Sequence, residues 1–163
     1  MTLLTLHEFS AAMPAGNGRL LGLDIGTKTI GIALSDERRR IATPLETIRR
    51  AKKFSEDAAR LTNIVQRHGI VGVVSGHPLE MSGEEGPRAQ GNRQILSNIL
   101  AALATANCGD VPALLWDERM SSTAVERTLI QDADMTRKRR REVIDRSAAA
   151  YILQGAIDGL NAL

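Results

Sequence analysis

Residues 20–34 read LLGLDIGTKTIGIAL, two short apolar runs, Leu20–Ile25 and Ile30–Leu34, joined by a four-residue connection. Strand-like runs this close in sequence pair as an antiparallel hairpin. A third run over Ile41–Ile48 predicts another strand, and Pro44 within it favours a sheet edge, because proline cannot donate a ladder hydrogen bond. The pattern therefore predicts a meander of three strands.

Beyond the meander, helical and strand-like patterns alternate. Apolar residues at helical spacing predict helices, and short continuous apolar runs predict strands covered on both faces. The predicted elements are a helix over 54–68, a strand over 70–74, a glycine-interrupted loop over 76–91, a helix over about 88–106, a strand over 111–116, a helix over 123–131 and a last helix over about 137–160.

This order of elements predicts an α/β fold with a mixed five-stranded sheet and helices on both faces. Right-handed βαβ crossovers make strands one, four and five parallel, and the predicted sheet order is 3-2-1-4-5. Sites in open sheets of this kind gather at the carboxyl ends of the strands, here between strands one and four. We expect one domain over 19–163, preceded by an N-terminal segment over 1–18 in which a short helix or arm ends near Pro14.

The composition excludes several classes of protein. The 163 residues are 43% hydrophobic and 25% charged, as in ordinary globular domains, and no apolar run approaches the length of a membrane-spanning helix. Cys108 is the single cysteine, which excludes an intramolecular disulfide and a cysteine-rich zinc site. The N-terminus lacks the features of a secretory signal, so a cytoplasmic protein is predicted. Only 2% of residues are aromatic, which argues against a single-strand binder built on stacking platforms.

Basic residues are concentrated in short stretches, although the formal net charge is only +2. Residues 38–40 are three arginines, and residues 49–53 contain four cations. The longest stretch, which we call the basic run, is Arg137, Lys138, Arg139, Arg140 and Arg141. Such local charge suits a polyanion such as nucleic acid, and the alternative is a set of solvated surfaces. The basic run lies at the amino end of the last predicted helix, where cations oppose the helix dipole, and this favours a phosphate partner.

Three carboxylates are predicted to converge at the carboxyl edge of the sheet. Asp24 lies inside the first apolar strand, where a carboxylate is expensive to bury without a partner or a metal ion. Asp117 and Glu118 follow the fifth strand and point to opposite faces, so one of them can face Asp24. Asp145 shares the apolar face of the last helix with Ala149. Alternatively, each acid has a local role as a turn cap, a strand-end charge or an ion-pair partner.

Acids brought this close together repel each other, and a hard divalent cation relieves the repulsion. Carboxylate and water ligands suit Mg²⁺ or Mn²⁺. Two such ions about 3.5–4 Å apart can stabilise both oxygens of an in-line phosphodiester displacement. The three acids together therefore favour a metal-dependent nuclease.

Four motifs occur in the order typical of one family. They are GLDIGTKTIGIA at 22–33, GPRA at 86–89, DERMSS at 117–122, and DRSAA at 145–149 followed by ILQ at 152–154. The chain thereby resembles the YqgF (RuvX) family of ribosomal-RNA-maturation nucleases, also called Holliday junction resolvase-like proteins, over about residues 19–160. The resemblance implies an RNase H-like fold, a catalytic and metal-binding triad of Asp24, Glu118 and Asp145, and 5′-end processing of pre-16S rRNA in ribosome biogenesis. The family usually has threonines where Ser121 and Ser122 stand here.

Further residues are candidates for holding nucleic acid. Lys28 follows the Asp24 strand and is placed to bind a phosphate, and Arg88 to clamp a backbone phosphate. Arg119 is a candidate for stabilising Glu118 or for contacting substrate. The alternatives are a solvated lysine and an ion pair from Arg88 to an acid of its own loop.

The loop after strand four departs from the family pattern. His77 and Glu80 stand where the family commonly has a neutral residue and an asparagine. A histidine here is a phosphate contact or a solvated loop residue. Glu80, Glu84 and Glu85 make the loop acidic, which disfavours direct phosphate binding, and a connection this long favours a mobile flap.

Other functions share parts of this pattern. A DNA-junction resolvase would use the same triad, and a homodimer rather than a monomer would favour it, because two symmetric cuts need two sites. A non-catalytic nucleic-acid-binding module would keep the fold but has no need of three acids beside a phosphate. Actin-like ATPases share the Asp24–Thr27 motif, but their two lobes need more than 163 residues.

Overall fold

The computed structural model describes residues 3–117, 119 and 137–163, and for residues 137–147 it describes the backbone alone. The helices and strands within these residues are α1 (Leu6–Ala12), β1 (Arg19–Ile25), β2 (Thr29–Ser35), β3 (Ala42–Arg49), α2 (Phe54–His68), β4 (Ile70–His77), α3 (Pro87–Thr105), β5 (Ala113–Asp117) and α4 (Arg137–Asn161). The predicted helix over 123–131 lies outside the described residues. No described helix is long and apolar enough to cross a membrane.

The five strands form one sheet in the order β3-β2-β1-β4-β5, which confirms the predicted topology. β1 pairs antiparallel with β2 and parallel with β4, and β4 pairs parallel with β5. β3 forms one edge, and the register shifts between Ile32 and Ala33, where Ala33 lies opposite Pro44. From the carboxyl end of β1 the chain continues to β2 on one side, and from the carboxyl end of β4 it continues through α3 to β5 on the other side. The switch in sheet order therefore lies between β1 and β4.

Alternating side chains along each strand divide the core into two layers. On one face, Leu23 of β1 and Val73 of β4 belong to the cluster that α2 and α3 cover. On the other face, Leu20 of β1 and Val74 of β4 pack with residues of α1 and α4. The side on which a strand residue lies therefore decides which helices it can meet.

The connection between β4 and α3 is shorter than the sequence predicts. Gly76 and His77 extend β4, where His77 lies opposite Asp117 of β5, and α3 already begins at Pro87. Proline is favoured at the first position of a helix because its missing N–H has no intrahelical partner there. The predicted loop over 76–91 is therefore too long, although the predicted start of the helix near residue 88 is confirmed. The connection spans only 78–86, which we call the β4–α3 loop.

The N-terminal segment packs against the sheet. A capping box between Thr5 and Glu8 starts α1. Phe9 is fully buried, and its ring packs directly on Gly72. A Cβ on Gly72 would lie only 2.8 Å from the Cζ atom of this ring. Leu4 forms a bridge with Leu114, so the segment also lies against the edge strand β5.

Helix α4 lies directly on the backbone of β1. A Cβ on Gly22 would lie 2.7 Å from the Cβ of Leu153 and 3.0 Å from the carbonyl oxygen of Ala149. Real Cβ atoms essentially never come this close to another heavy atom, so only glycine fits this position without a shift of the helix.

The variant Gly22→Ala should therefore destabilise the fold. The added methyl group meets the backbone of α4, which cannot move aside as a flexible side chain would, and overpacking of this kind costs about 1–3 kcal/mol. Urea unfolding measures the decrease in stability. The control is Gly91→Ala in α3, where the added Cβ meets nothing within 4 Å and helix propensity predicts a gain of up to about 1 kcal/mol. Equal stabilities for the two variants would contradict the packing argument.

Candidate active site

Asp24 lies near the carboxyl end of β1, opposite Gly31 of β2, and is half-buried. Its neighbours Leu23 and Ile25 belong to the core layer under α2 and α3. Because side chains alternate along a strand, Asp24 lies on the other face, the one that α4 covers. It shares that face with Gly22, which contacts α4.

The backbone of α4 brings Asp145 towards the same end of the sheet. Gln154 accepts a hydrogen bond from the N–H of Ala42, at the end of the sheet where β1 begins. Ala149, further towards the amino end of the helix, lies against Gly22 in the middle of β1. Asp145 comes one turn earlier still, and Asp24 two residues later along β1. The structure thus places two of the three predicted acids at one edge of the sheet, and it describes only the backbone of Asp145.

Asp117 lies on the opposite face from Asp24. In β5, Ala113 and Leu115 pack in the layer under α2 and α3, so alternation puts Asp117 on that side. Its carboxylate accepts hydrogen bonds from the Arg119 guanidinium, with the Nη2–Oδ2 distance at 2.6 Å and Nε 3.0 Å from each oxygen. This hydrogen bonding lowers the pKa of Asp117. Of the two adjacent acids, Asp117 is therefore engaged with Arg119, and Glu118 lies outside the described residues.

His77 is a buried residue at the end of β4, and not a solvated loop residue. Its Nε2 atom lies 2.9 Å from Oε1 of Glu85, and the other carboxylate oxygen of Glu85 accepts a hydrogen bond from Arg93 of α3. The base of the β4–α3 loop is thereby tied to both the strand and the helix. The signal for this contact in the sequence is Arg93, a basic residue eight positions after Glu85, and charge patterning alone assigns it no role.

The predicted phosphate-binding residues have different surroundings. Lys28 is exposed in the turn that joins β1 to β2, beside the edge where Asp24 lies. Arg88 is exposed in the first turn of α3, and Glu85 pairs with Arg93 and not with Arg88. The tip of the β4–α3 loop comes near Arg119, since a Cβ on Gly83 would lie 3.9 Å from its Nη1 atom. For the basic run, 137–141, the structure describes only the backbone, which forms the first turns of α4.

The other basic stretches are partly used inside the protein. Arg39 donates hydrogen bonds to the carbonyl oxygens of Gly18, Pro14 and Gly16, so it holds the N-terminal segment. Arg50 donates to the carbonyl oxygen of Gly26. These two arginines are therefore engaged with backbone oxygens of the protein itself.

A metal site cannot be assembled from the described side chains alone. Among them, no three histidine, cysteine, aspartate or glutamate residues are grouped as metal ligands. Of the three predicted ligands, the described side chains include only Asp24. The chemistry of the predicted set, three carboxylates, fits a hard divalent cation.

Comparison with known proteins gives the family. The model of the family described as "Holliday junction resolvase", RuvX, matches residues 18–159. The chain belongs to the RuvX family. A relative from Cereibacter sphaeroides, named "Putative pre-16S rRNA nuclease", is 54% identical over 96% of this chain and 92% of its own. One of the same name from Rhodospirillum rubrum is 50% identical over 99% of this chain and 95% of its own.

Two solved structures share the architecture of this RuvX chain. Thermus thermophilus RuvC in complex with a Holliday junction substrate has a TM-score of 0.55 at 15% identity, covering 86% of this chain and 94% of its own. The yeast mitochondrial Holliday junction resolvase has a TM-score of 0.52 at 14% identity, covering 96% and 86%. These similarities confirm the RNase H-like fold. The family and its relatives are those of a nuclease, a hydrolase of phosphodiester bonds.

The buried histidine of this RuvX chain should make its stability depend on pH. Burial, and then the charge of Arg93, lower the pKa of His77 from its usual 6.5. Its Nδ1 atom is buried without a hydrogen-bond partner among the described residues, so protonation would bury an unpaired N–H. As pH falls below 6.5, the unfolded chain binds more protons than the folded one, and the free energy of unfolding decreases.

Urea unfolding at a series of pH values measures this effect, and NMR titration of the imidazole gives the pKa directly. The variant His77→Gln should remove the part of the pH dependence that arises at 77, while His7→Gln, at an exposed position in α1, should leave it. A titration midpoint for His77 at or above 6.5 would contradict this assignment.

Proposed function

We propose that this protein is a metal-dependent endonuclease that hydrolyses phosphodiester bonds in structured RNA and processes the 5′ end of pre-16S rRNA. The observation that carries the proposal is the contact of Ala149 of α4 with Gly22 of β1, because Asp145 precedes Ala149 by one helical turn and Asp24 follows Gly22 by two residues. The name of the relatives supports the substrate. Residues 19–163 would form the nuclease domain, with 1–18 as an N-terminal arm, and the protein would work in the cytoplasm.

The proposed catalytic and metal-binding residues are Asp24, Glu118 and Asp145. These carboxylates would hold two Mg²⁺ or Mn²⁺ ions, which supply Lewis-acid stabilisation of the phosphoryl oxygens when bound. The role of the chain is to fix the ligands. Asp24 belongs to a central strand bonded on both sides, and Asp145 to a helix pressed against that strand, so neither backbone can move without disturbing the core.

The proposed nucleic-acid-binding residues surround this edge. Lys28 and Arg88 are exposed and have no described ion pair, so their charges are available to phosphates. Arg119 forms an ion pair with Asp117, and the other edge of its guanidinium would bind substrate. The basic run at the start of α4 would hold more distant phosphates of the same strand.

The second candidate is cleavage of a four-way DNA junction. It is favoured by the description of the matching family and by the shared fold with junction resolvases. Because hydrolysis of the phosphodiester does not itself read the sugar, the same acids would serve both substrates. A homodimer in solution would favour the junction, and a monomer the RNA.

Replacement of Asp24 tests the proposed chemistry. Asp24→Asn removes the charge while keeping the shape, and cleavage should fall by about 100-fold or more, the scale of removing one group that stabilises transition-state charge. The assay compares precursor rRNA with a four-way DNA junction, each with and without Mg²⁺ or Mn²⁺. Asp110→Asn, at an exposed position before β5, is the matched control. Undiminished cleavage by folded Asp24→Asn would exclude the triad mechanism.

The basic run is tested through the salt dependence of binding. Reversal of its charges to glutamate should weaken binding, and the slope of log K against log salt should become shallower by about 0.7–0.9 for each phosphate that the protein no longer neutralises. The control variant Arg67→Glu, at an exposed position in α2, gives the effect on binding of reversing one charge far from the basic run. An unchanged slope in the reversed variant would mean that the basic run is a solvated surface.

A further inference from the structure

The turn between β1 and β2 begins at Gly26, two residues after Asp24, and carries Lys28. It is closed by a hydrogen bond from the N–H of Gly26 to the carbonyl oxygen of Thr29, at 2.8 Å. The position of this turn therefore controls two candidate site residues at once.

Arg50, just beyond the end of β3, holds this turn at two points. Its backbone N–H donates to the carbonyl oxygen of Lys28 at 2.9 Å, and its Nη1 donates to the carbonyl oxygen of Gly26 at 3.2 Å. One residue thus binds both the second and the fourth residue after Asp24. The backbone contact survives any substitution except proline, and the side-chain contact depends on the guanidinium.

Asp57 of α2 anchors Arg50 from the other side. Its side chain is only 3% exposed, its Oδ2 lies 3.9 Å from Nε of Arg50, and its Oδ1 accepts a hydrogen bond from the N–H of Ala51 at 2.9 Å. A carboxylate this buried is costly unless it is paired and hydrogen-bonded. Because it is covered by protein, Asp57 cannot touch a nucleic acid substrate.

We propose that Arg50 is a positioning residue for the active site, held in place by Asp57. This inference rests on the proposed function, in which Asp24 binds the metal ions and Lys28 a phosphate. The planar guanidinium lets Arg50 reach the Gly26 carbonyl and Asp57 at the same time, which the point charge of a lysine cannot reproduce. The chain Asp57–Arg50–Gly26 thereby ties the catalytic edge of β1 to helix α2.

A simpler explanation is that Arg50 contributes positive charge to the basic stretch over 49–53 and attracts the polyanion. The two explanations predict opposite effects for Asp57→Asn. Removal of a negative charge near Arg50 should strengthen binding if charge is what matters. If Arg50 acts through its position, the same variant should slow cleavage at saturating substrate without weakening binding.

The chain provides a matched control. Arg60 of α2 pairs with Glu46 of β3 at 2.8 Å, so it also links α2 to the sheet, at the position of β3 that lies opposite Ile32. It makes no described contact with the β1–β2 turn. Arg60→Gln therefore removes one positive charge and one ion pair of α2, while the turn keeps its support.

The experiment compares Arg50→Gln, Arg50→Lys, Asp57→Asn and Arg60→Gln with the unaltered protein. Three quantities are measured: single-turnover cleavage at saturating RNA with Mg²⁺, the Kd for the same RNA, and the hydrogen-exchange rate of the Gly26 amide. Displacement of a catalytic group by about 1 Å lowers the reaction rate by up to about 100-fold. We expect cleavage to fall by about 10-fold or more in both Arg50 variants and in Asp57→Asn, with faster Gly26 exchange and Kd changed by less than about 3-fold. Arg60→Gln should match the unaltered protein in cleavage and exchange.

Arg50→Lys keeps the assignment testable if the glutamine variant folds poorly, because it preserves the charge and most of the side chain. Full activity of Arg50→Lys, or tighter binding with normal cleavage in Asp57→Asn, would overturn the positioning role. A failure of the proposed function is recognised separately, as cleavage that does not depend on Asp24. The exchange rate of Gly26 then still decides whether Arg50 holds the turn, and an unchanged rate in Arg50→Gln would show that it does not.

Discussion

The direct contact between α4 and the backbone of β1 is the constraint on which the proposed site depends. At Gly22 no side chain separates strand and helix, so the helix lies closer to the sheet there than any larger residue would permit. This contact sets the height of α4 above the sheet and, one turn further on, the distance between Asp145 and Asp24. In the proposed site, this close approach would let a carboxylate on the strand and one on the helix bind the same metal ion.

The acidic residues near the edge of the sheet differ in the face on which they lie and in their partners. On the side of α2 and α3, Asp117 is paired with Arg119. Glu85 also has protein partners, Arg93 and His77. Asp24 lies on the side of α4. The small formal charge of +2 is thus a sum over regions with different uses. Some arginines bind backbone oxygens, some neutralise acids, and others, such as Arg88, are exposed without a described ion pair.

The topology was predictable because it depends on local pattern and chain connectivity. The four-residue connection after Ile25 predicts a hairpin, and the later helix–strand alternation predicts parallel strands with right-handed crossovers. The extent of β4 was not predictable, because His77 is in the ladder only through its partner Asp117, distant in sequence. For the same reason, the partners of Arg39 and Arg50 could not be known from the sequence, since charge clusters look alike whether their members bind phosphate or backbone oxygens.

The N-terminal segment has a consequence for where the protein can be cut. The match to the family model begins at residue 18, yet Phe9 packs on Gly72 and Leu4 lies along the outer strand β5. A fragment that begins at residue 18 would expose the surface around Gly72 that Phe9 covers. It would also leave the backbone groups of β5 free to pair with strands of other molecules. Self-association of such a fragment would then reflect the trimming, and would say nothing of the natural oligomeric state of the chain.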